Sequence, residues 1–282
     1  MYGHVIVGIP SVLGVHAPFA RWLHVTELSE LILNESFHLT TMAYVNNHVP
    51  PSPKPAPTLP DPDEPYDVNF CFPVQVLETD RLKLVPYVPK LHAADLFAAL
   101  TAYPETMHYM PVTLPQSLPA FHLWWESTFR QDPTRCPFII LDKSESRLLG
   151  MISYINASRE LSTLEAGFIT ILPPFQRTHV NTHAVGLVVQ YALDRTGLGV
   201  RRVQWQAHAS NAPSVRAAER LGFKMEGVIR WQRPLPFEKE SSAVAPDDGL
   251  GPGRHTAMLA ICWDDWESGT REHIRGLIAR IA

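Results

Sequence analysis

Charge and cysteine are both scarce in this chain. Charged residues make up 18% of its 282 residues and the formal net charge is −4. No basic field therefore exists to draw it to nucleic acid or to an anionic membrane surface. The 3 cysteines, Cys71, Cys136 and Cys262, are far apart and form no C-x-x-C pair, which argues against a disulfide framework and a cysteine zinc site and predicts a reducing, cytoplasmic compartment. Long apolar runs are missing too. Residues 1–20 are apolar but lack a basic start and are broken by Pro10 and Pro18, so they read neither as a signal peptide nor as a membrane span. The 13 histidines show no metal spacing such as H-E-x-x-H, and no metal is expected.

Proline, by contrast, is abundant. Nine of its 26 copies fall in residues 46–73, a composition that favours extended, solvated backbone. Residues 1–73 are therefore expected to be an N-terminal extension and linker, and residues 74–282 the folded domain. Residues 26–33 read as a short helix capped by Thr26 or as coil. Met42 stands just before the proline run, which leaves open whether residues 1–41 belong to the native protein.

Hydrophobic content of 45% is enough for a packed core. From Val74, the segment QVLETDRLKLVPYV alternates as one half-buried strand. Pro89 suits the first turn of a helix reaching about Leu100. A second helix starts at Ser117 and carries Phe121, Trp124, Trp125 and Phe129, which read either as core or as the aromatic wall of a pocket. Residues 137–142 and 148–156 form a hairpin around KSESR. Residues 165–182, EAGFITILPPFQRTHVNT, run as a strand stopped by Pro173 and Pro174, then a polar loop, then a helix carrying Val185, Val188, Val189 and Ala192. Helix starts attract anions, so this loop is expected to hold a phosphate. Residues 201–209 read as a strand, Asn211 as the cap of a helix ending at Gly222, residues 223–231 and 255–263 as a last strand pair, and Asp264 or Asp265 as the cap of a closing helix. The order β-α-α-β-β-β-α-β-α-β-β-α predicts a mixed sheet with helices on its faces.

With NAPSVRAAERLGF at residues 211–223 added to residues 165–182, the chain resembles the GNAT superfamily of N-acetyltransferases, nearest its RimJ/RimL-like branch, from about Glu78 to Ile281. The resemblance implies an α/β (α+β mixed) GNAT fold, with a central, mostly antiparallel twisted sheet of about seven strands flanked by helices. It implies acetyl-CoA as co-substrate, no metal, and direct attack of a primary amine on the thioester. The acceptor is a small-molecule amine or a protein N-terminus; a homodimer is open.

Residue by residue, the resemblance implies Glu165 as base, eleven positions before Gln176. It implies the Ile169 N–H on the acyl carbonyl, Ile171 against pantetheine, Asn211 on the cofactor arm, and Ser214 near the departing thiolate. The phosphate loop comprises Gln176, Arg177, Thr178, His179, Val180 and Asn181, running into Thr182. Where the family pattern Q/R-x-x-G-x-G/A has small residues, this chain has His179 and Asn181, so positive φ is expected to cost roughly 1–2 kcal/mol at those positions. Glu165 as an exposed strand-edge acid, Asn211 as a plain cap, Ser214 as a first-turn hydroxyl and His179 as a surface cap residue are the competing readings. At the level of the whole chain, the competitor is a CoA-binding or interaction protein without catalysis.

Overall fold

In the computed structural model, residues 45–61, 63–239, 241, 243 and 249–280 are described. The chain divides into two units, Met1–Pro53 and Lys54–Ala282; every element named below belongs to the second. The helix expected at residues 26–33 and the alternative start at Met42 lie outside the described residues. No helix among the described residues is long and apolar enough to cross a membrane.

The elements in chain order are β1 (Leu77–Glu78), β2 (Leu82–Pro86), α1 (Pro89–Ala102), α2 (Leu118–Trp125), β3 (Cys136–Asp142), β4 (Leu148–Ser158), β5 (Thr163–Ile171), α3 (His179–Leu193), β6 (Arg202–His208), α4 (Ala212–Arg220), β7 (Lys224–Pro234), β8 (Gly253–Cys262) and α5 (Arg271–Ile278). A π-helical turn, Glu126–Arg130, continues α2. The strands form one sheet of order β1-β2-β3-β4-β5-β6-β8-β7. Neighbours are antiparallel except β5 and β6. The mixed, mostly antiparallel sheet is as expected, with eight strands where about seven were anticipated. One difference lies at the start: the single strand expected from Val74 is a hairpin. Thr79 Oγ1 accepts the N–H groups of Arg81 and Leu82, and this local turn overrides the alternating pattern.

The centre of the sheet is buried on both faces, whereas β7 at its edge is largely exposed. Phe138 and Ile140 belong to the cluster that includes Val185, Val188, Val189 and Ala192 of α3. Ile139, between them, belongs to the cluster of Leu96, Phe121, Trp125 and Phe129 from α1, α2 and its π-turn. The twofold alternation of a strand thus feeds two cores. Helix ends follow local chemistry. Ser117 Oγ accepts the N–H of Ala120 at the start of α2, and Gly222 takes φ 93° just beyond α4, a backbone region glycine enters without steric cost.

The end of the proline-rich stretch is packed. Tyr66 donates its hydroxyl to Glu126 at 2.9 Å, and Asn69 Nδ2 donates to the Arg130 carbonyl at 2.7 Å. Phe70, Cys71 and Phe72 lie against the larger core.

Candidate active site

β5 and β6 pair only through Thr163, Leu164 and Glu165 with Arg202, Val203 and Gln204. Beyond that point the strands separate. The cause is legible in the ladder between β4 and β5. Ser153 faces Gly167 while Met151 faces Thr170, so Phe168 and Ile169 together oppose Ile152. Phe168 sits at φ 48°. Such a bulge bends and twists its strand, and here it leaves the facing edges of β5 and β6 without each other as backbone partners. Between them opens a cleft of about 680 Å³, lined by Gly167, Ile169 and Ile171 on one side and Trp205, Ala207 and His208 on the other.

Glu165 stands at the apex of this wedge, in the last paired position, and is 3% exposed. A second bulge serves it. Ile155 faces Glu165 while Ser158 faces Thr163, and Asn156 takes φ 50°. Asn156 Nδ2 then donates to Glu165 Oε2 at 2.8 Å. Gly167 leaves room beside it: a Cβ there would lie 2.6 Å from Ile155 Cδ1, so that side chain would have to shift, and 3.3 Å from Glu165 Oε1. Burial pushes the Glu165 carboxyl up from 4.5 to about 7, against the downward pull of the Asn156 hydrogen bond and of Arg233, Arg254 and Arg135. A carboxyl in that range exchanges protons near neutral pH.

The loop after β5 is built differently from the expectation. Gln176 Nε2 donates to the Ile171 carbonyl at 3.0 Å, tying the loop to the strand end. Arg177 carries the positive φ, 60°. Thr178 caps α3: its Oγ1 accepts the Val180 N–H at 3.3 Å and donates to the Phe175 carbonyl at 2.6 Å. The helix starts at His179, inside the stretch Gln176 to Asn181 that was expected to be loop. His179 and Asn181 are thus first-turn helical residues, and the left-handed cost expected at them falls on Arg177 instead.

Of the loop residues, Gln176, Arg177, Thr178 and Asn181 line the cleft, as do Ile169, Ile171, Asn211 and Ser214. His179, Val180 and Thr182 do not. Val180 and Thr182 are buried, and the His179 ring lies edge-on to His183 at 5.1 Å. Once the helix begins at residue 179, its turn sends these three side chains away from the opening, leaving only their backbone near it. Asn211 is the cap of α4, its Oδ1 accepting the Ser214 N–H at 3.2 Å. Ser214 Oγ in turn accepts from Trp205 Nε1 at 3.0 Å, so its own proton remains to be donated.

The aromatic row of α2 does not form the wall. Phe121, Trp125 and Phe129 are buried in the core, and Tyr87 stacks on Trp125 at 3.8 Å. The wall comes from the segment after α1, through Thr106, Tyr109, Met110, Pro111 and Val112, which carries no periodic signal. Asn156, His208, Arg135, Arg233 and Arg254 also line the cleft and were not singled out by sequence. The last two fell in the loop expected between residues 223–231 and 255–263, and enter strands only because β7 runs on to Pro234 and β8 begins at Gly253.

Residues 81–224 match the family model described as an acetyltransferase (GNAT) domain. Among solved structures, a GCN5-related N-acetyltransferase from Brucella melitensis is 25% identical, with a TM-score of 0.62, over 73% of this chain and 86% of that one. A protein from T. thermophilus described as an acetyltransferase is 26% identical, with a TM-score of 0.59, over 73% of this chain and 98% of its own. Mycobacterium smegmatis RimJ, solved in complex with CoA-disulfide, is 15% identical, with a TM-score of 0.55, over 69% of this chain and 88% of that one. No curated protein matches the chain significantly.

Proposed function

The chain belongs to the acetyltransferase (GNAT) family, and on that premise we propose that it transfers an acetyl group from acetyl-CoA to a primary amine. The observation that carries this reading is Glu165, buried at the apex of the β5–β6 wedge with its carboxyl raised to about 7. The free edge of β5 supplies backbone groups for the pantetheine arm, with Ile171 in contact along it. The N-terminus of α3 offers backbone N–H groups to the pyrophosphate, and Arg177 and Arg220 line the same cleft. Asn211 borders the cofactor arm.

In the chemical step, the Ile169 N–H polarises the thioester carbonyl and Glu165 accepts a proton from the amine. The amine nitrogen forms the new C–N bond and the C–S bond breaks; the departing thiolate accepts a hydrogen bond from the Ser214 hydroxyl and takes its proton from solvent, to which Glu165 returns the proton it accepted. At pH 7, neutralising an α-amino group of pKa about 8 costs roughly 1.4 kcal/mol, whereas a lysine amine near 10.4 costs about 4.6 kcal/mol. A base near 7 suits the former task. The acceptor is a small amine in this reading; the RimJ/RimL-like resemblance keeps a protein N-terminus as the other candidate.

A CoA-binding protein without catalysis was motivated by the missing glycines. The Thr178 cap weakens that motive, since His179 and Asn181 need no positive φ. Calorimetric titration with acetyl-CoA, together with thiol release over a panel of amines and peptides, tests the proposal. Binding with turnover that disappears in Glu165→Gln at unchanged CoA affinity is the expected result. Tight binding without turnover on any amine establishes the non-catalytic reading, and unchanged turnover in the variant removes the base assignment.

A further inference from the structure

The apex of the wedge carries a charge pattern that acetyl transfer alone does not require. Arg233 on β7 and Arg254 on β8 are direct partners across the ladder, a placement that is unfavourable for like charges. Both line the cleft. Arg254 is 5% exposed and its Nε has no hydrogen-bond partner. Arg233 is held only by neutral amides, its Nε donating to Gln232 Oε1 at 3.2 Å and its Nη2 to Gln206 Oε1 at 3.4 Å. Neither arginine has an ion-pair partner among the described residues. A buried, unpaired cation is costly unless something else neutralises it.

A second unsatisfied donor stands beside them. His208 is 7% exposed and lines the cleft. Its Nδ1 accepts the Ser210 N–H at 3.1 Å, so Nε2 bears the proton of the neutral ring, and Nε2 has no partner. His208 pairs with Thr256, two positions from Arg254, which puts His208 and Arg254 on one sheet face. An oxyanion between them would satisfy both donors.

Glu165 does not fill that role. Its own proton is held up to about 7 even with the arginines near, and Arg254 is pushed down to about 10 by burial and by Arg233, with Glu165 pulling weakly the other way. Nor do these arginines belong to the phosphate loop. The guanidinium groups acting on Glu165 are those of Arg233, Arg254 and Arg135, whereas Arg177 lies in the loop and Arg220 at the end of α4. Although the chain is net negative, this cleft is lined by Arg135, Arg177, Arg220, Arg233 and Arg254 against, among the described residues, the single carboxylate of Glu165.

We infer that Arg233 and Arg254 bind an anionic group of the acceptor, which is a small amine carrying a carboxylate or a phosphate and presenting its amino group to Glu165. The inference rests on the acetyltransferase reading above and names the substrate class for the same site. Guanidinium forks match planar carboxylate and tetrahedral phosphate oxygens, and they repel a polyamine.

The test is a panel of matched amines with acetyl-CoA, followed by thiol release: each common amino acid against its carboxamide, phosphoethanolamine against ethanolamine, and spermidine as a cationic control. Rates are compared at equal concentrations of neutral amine. At least one anionic member should exceed its neutral counterpart by about tenfold or more in kcat/KM, and whether it is a carboxylate or a phosphate identifies the group. Arg254→Gln and Arg233→Gln should each raise the KM for that member about tenfold more than the KM for its neutral counterpart, with the affinity for acetyl-CoA nearly unchanged; a shift acting through Glu165 falls on both members alike and cancels in that ratio. If the arginines only tune Glu165, the variants shift the pH profile for every amine alike, and the inference falls. Preference for spermidine or for the neutral members also overturns it. Should acetyl-CoA fail to bind, the acetyltransferase reading fails instead, and calorimetry of the anionic amines with the free protein still decides the inference: tighter binding than the neutral partners, lost in Arg254→Gln, supports it, and no difference ends it.

Discussion

Asn156 donates from Nδ2 to Oε2 of Glu165 at 2.8 Å, across the ladder between β4 and β5. The contact depends on the bulge that holds Asn156 at φ 50°. It favours the charged carboxylate and so works against burial. In Asn156→Ala, burial acts unopposed by this bond, and the ascending limb of the kcat/KM–pH profile should move to higher pH. A pH–rate series on wild type and variant checks this; coincident limbs would remove Asn156 as the partner that sets the base.

As the proposed base, Glu165 makes opposite demands on activity and stability. A carboxyl raised from 4.5 to about 7 on folding holds its proton more tightly folded than unfolded. Its stabilising contribution is therefore complete below about pH 4.5 and is lost as pH rises through 7. The span corresponds to roughly 3 kcal/mol. Glu165→Gln should be inactive yet more stable than wild type at about pH 8, with the gap closing near pH 5. Denaturant titrations at the two pH values measure it, and a variant less stable under the alkaline condition would contradict the burial argument.

Arg177 separates strain from charge. At φ 60° a non-glycine residue costs on the order of 1 kcal/mol. Arg177→Gly should therefore stabilise the protein by about that amount in thermal unfolding while weakening acetyl-CoA binding and flattening its salt dependence. Equal affinity at low and high salt in wild type and variant would mean that the guanidinium does not serve the phosphate groups.

Tyr66 belongs to the proline-rich stretch yet bonds the Glu126 carboxylate, which is 2% exposed. Removing the donor leaves a buried acceptor short of a partner, at a cost of about 1–3 kcal/mol. Tyr66→Phe should lower stability by that order without changing turnover at a temperature where both proteins are folded. A neutral result would show that the stretch lies on the domain without stabilising it.

Local chemistry made much of this molecule readable in advance. Ser117 and Asn211 announce their helices because each is a short polar side chain able to accept an orphan N–H. Gly222 marks an end because of its backbone freedom. The apolar alternation of residues 137–142 and 148–156 marks strands because side chains in a strand point to opposite faces. The α3 boundary was misplaced because a threonine cap works without apolar periodicity. The hairpin at Thr79 was missed because one turn residue outweighs an alternating pattern.

By itself, the chain's order of residues determined the mixed sheet, the succession of helices and strands, and the position of Glu165 near the head of a strand that leads into a helix start. Folding decided the rest. Whether Glu165 meets water or protein depends on Asn156, Gly167 and Ile155, brought together by two bulges that no local signal reveals. The facing of Arg233, Arg254 and His208 depends on the register of β6, β7 and β8, where a slip of one residue would turn each side chain to the opposite face.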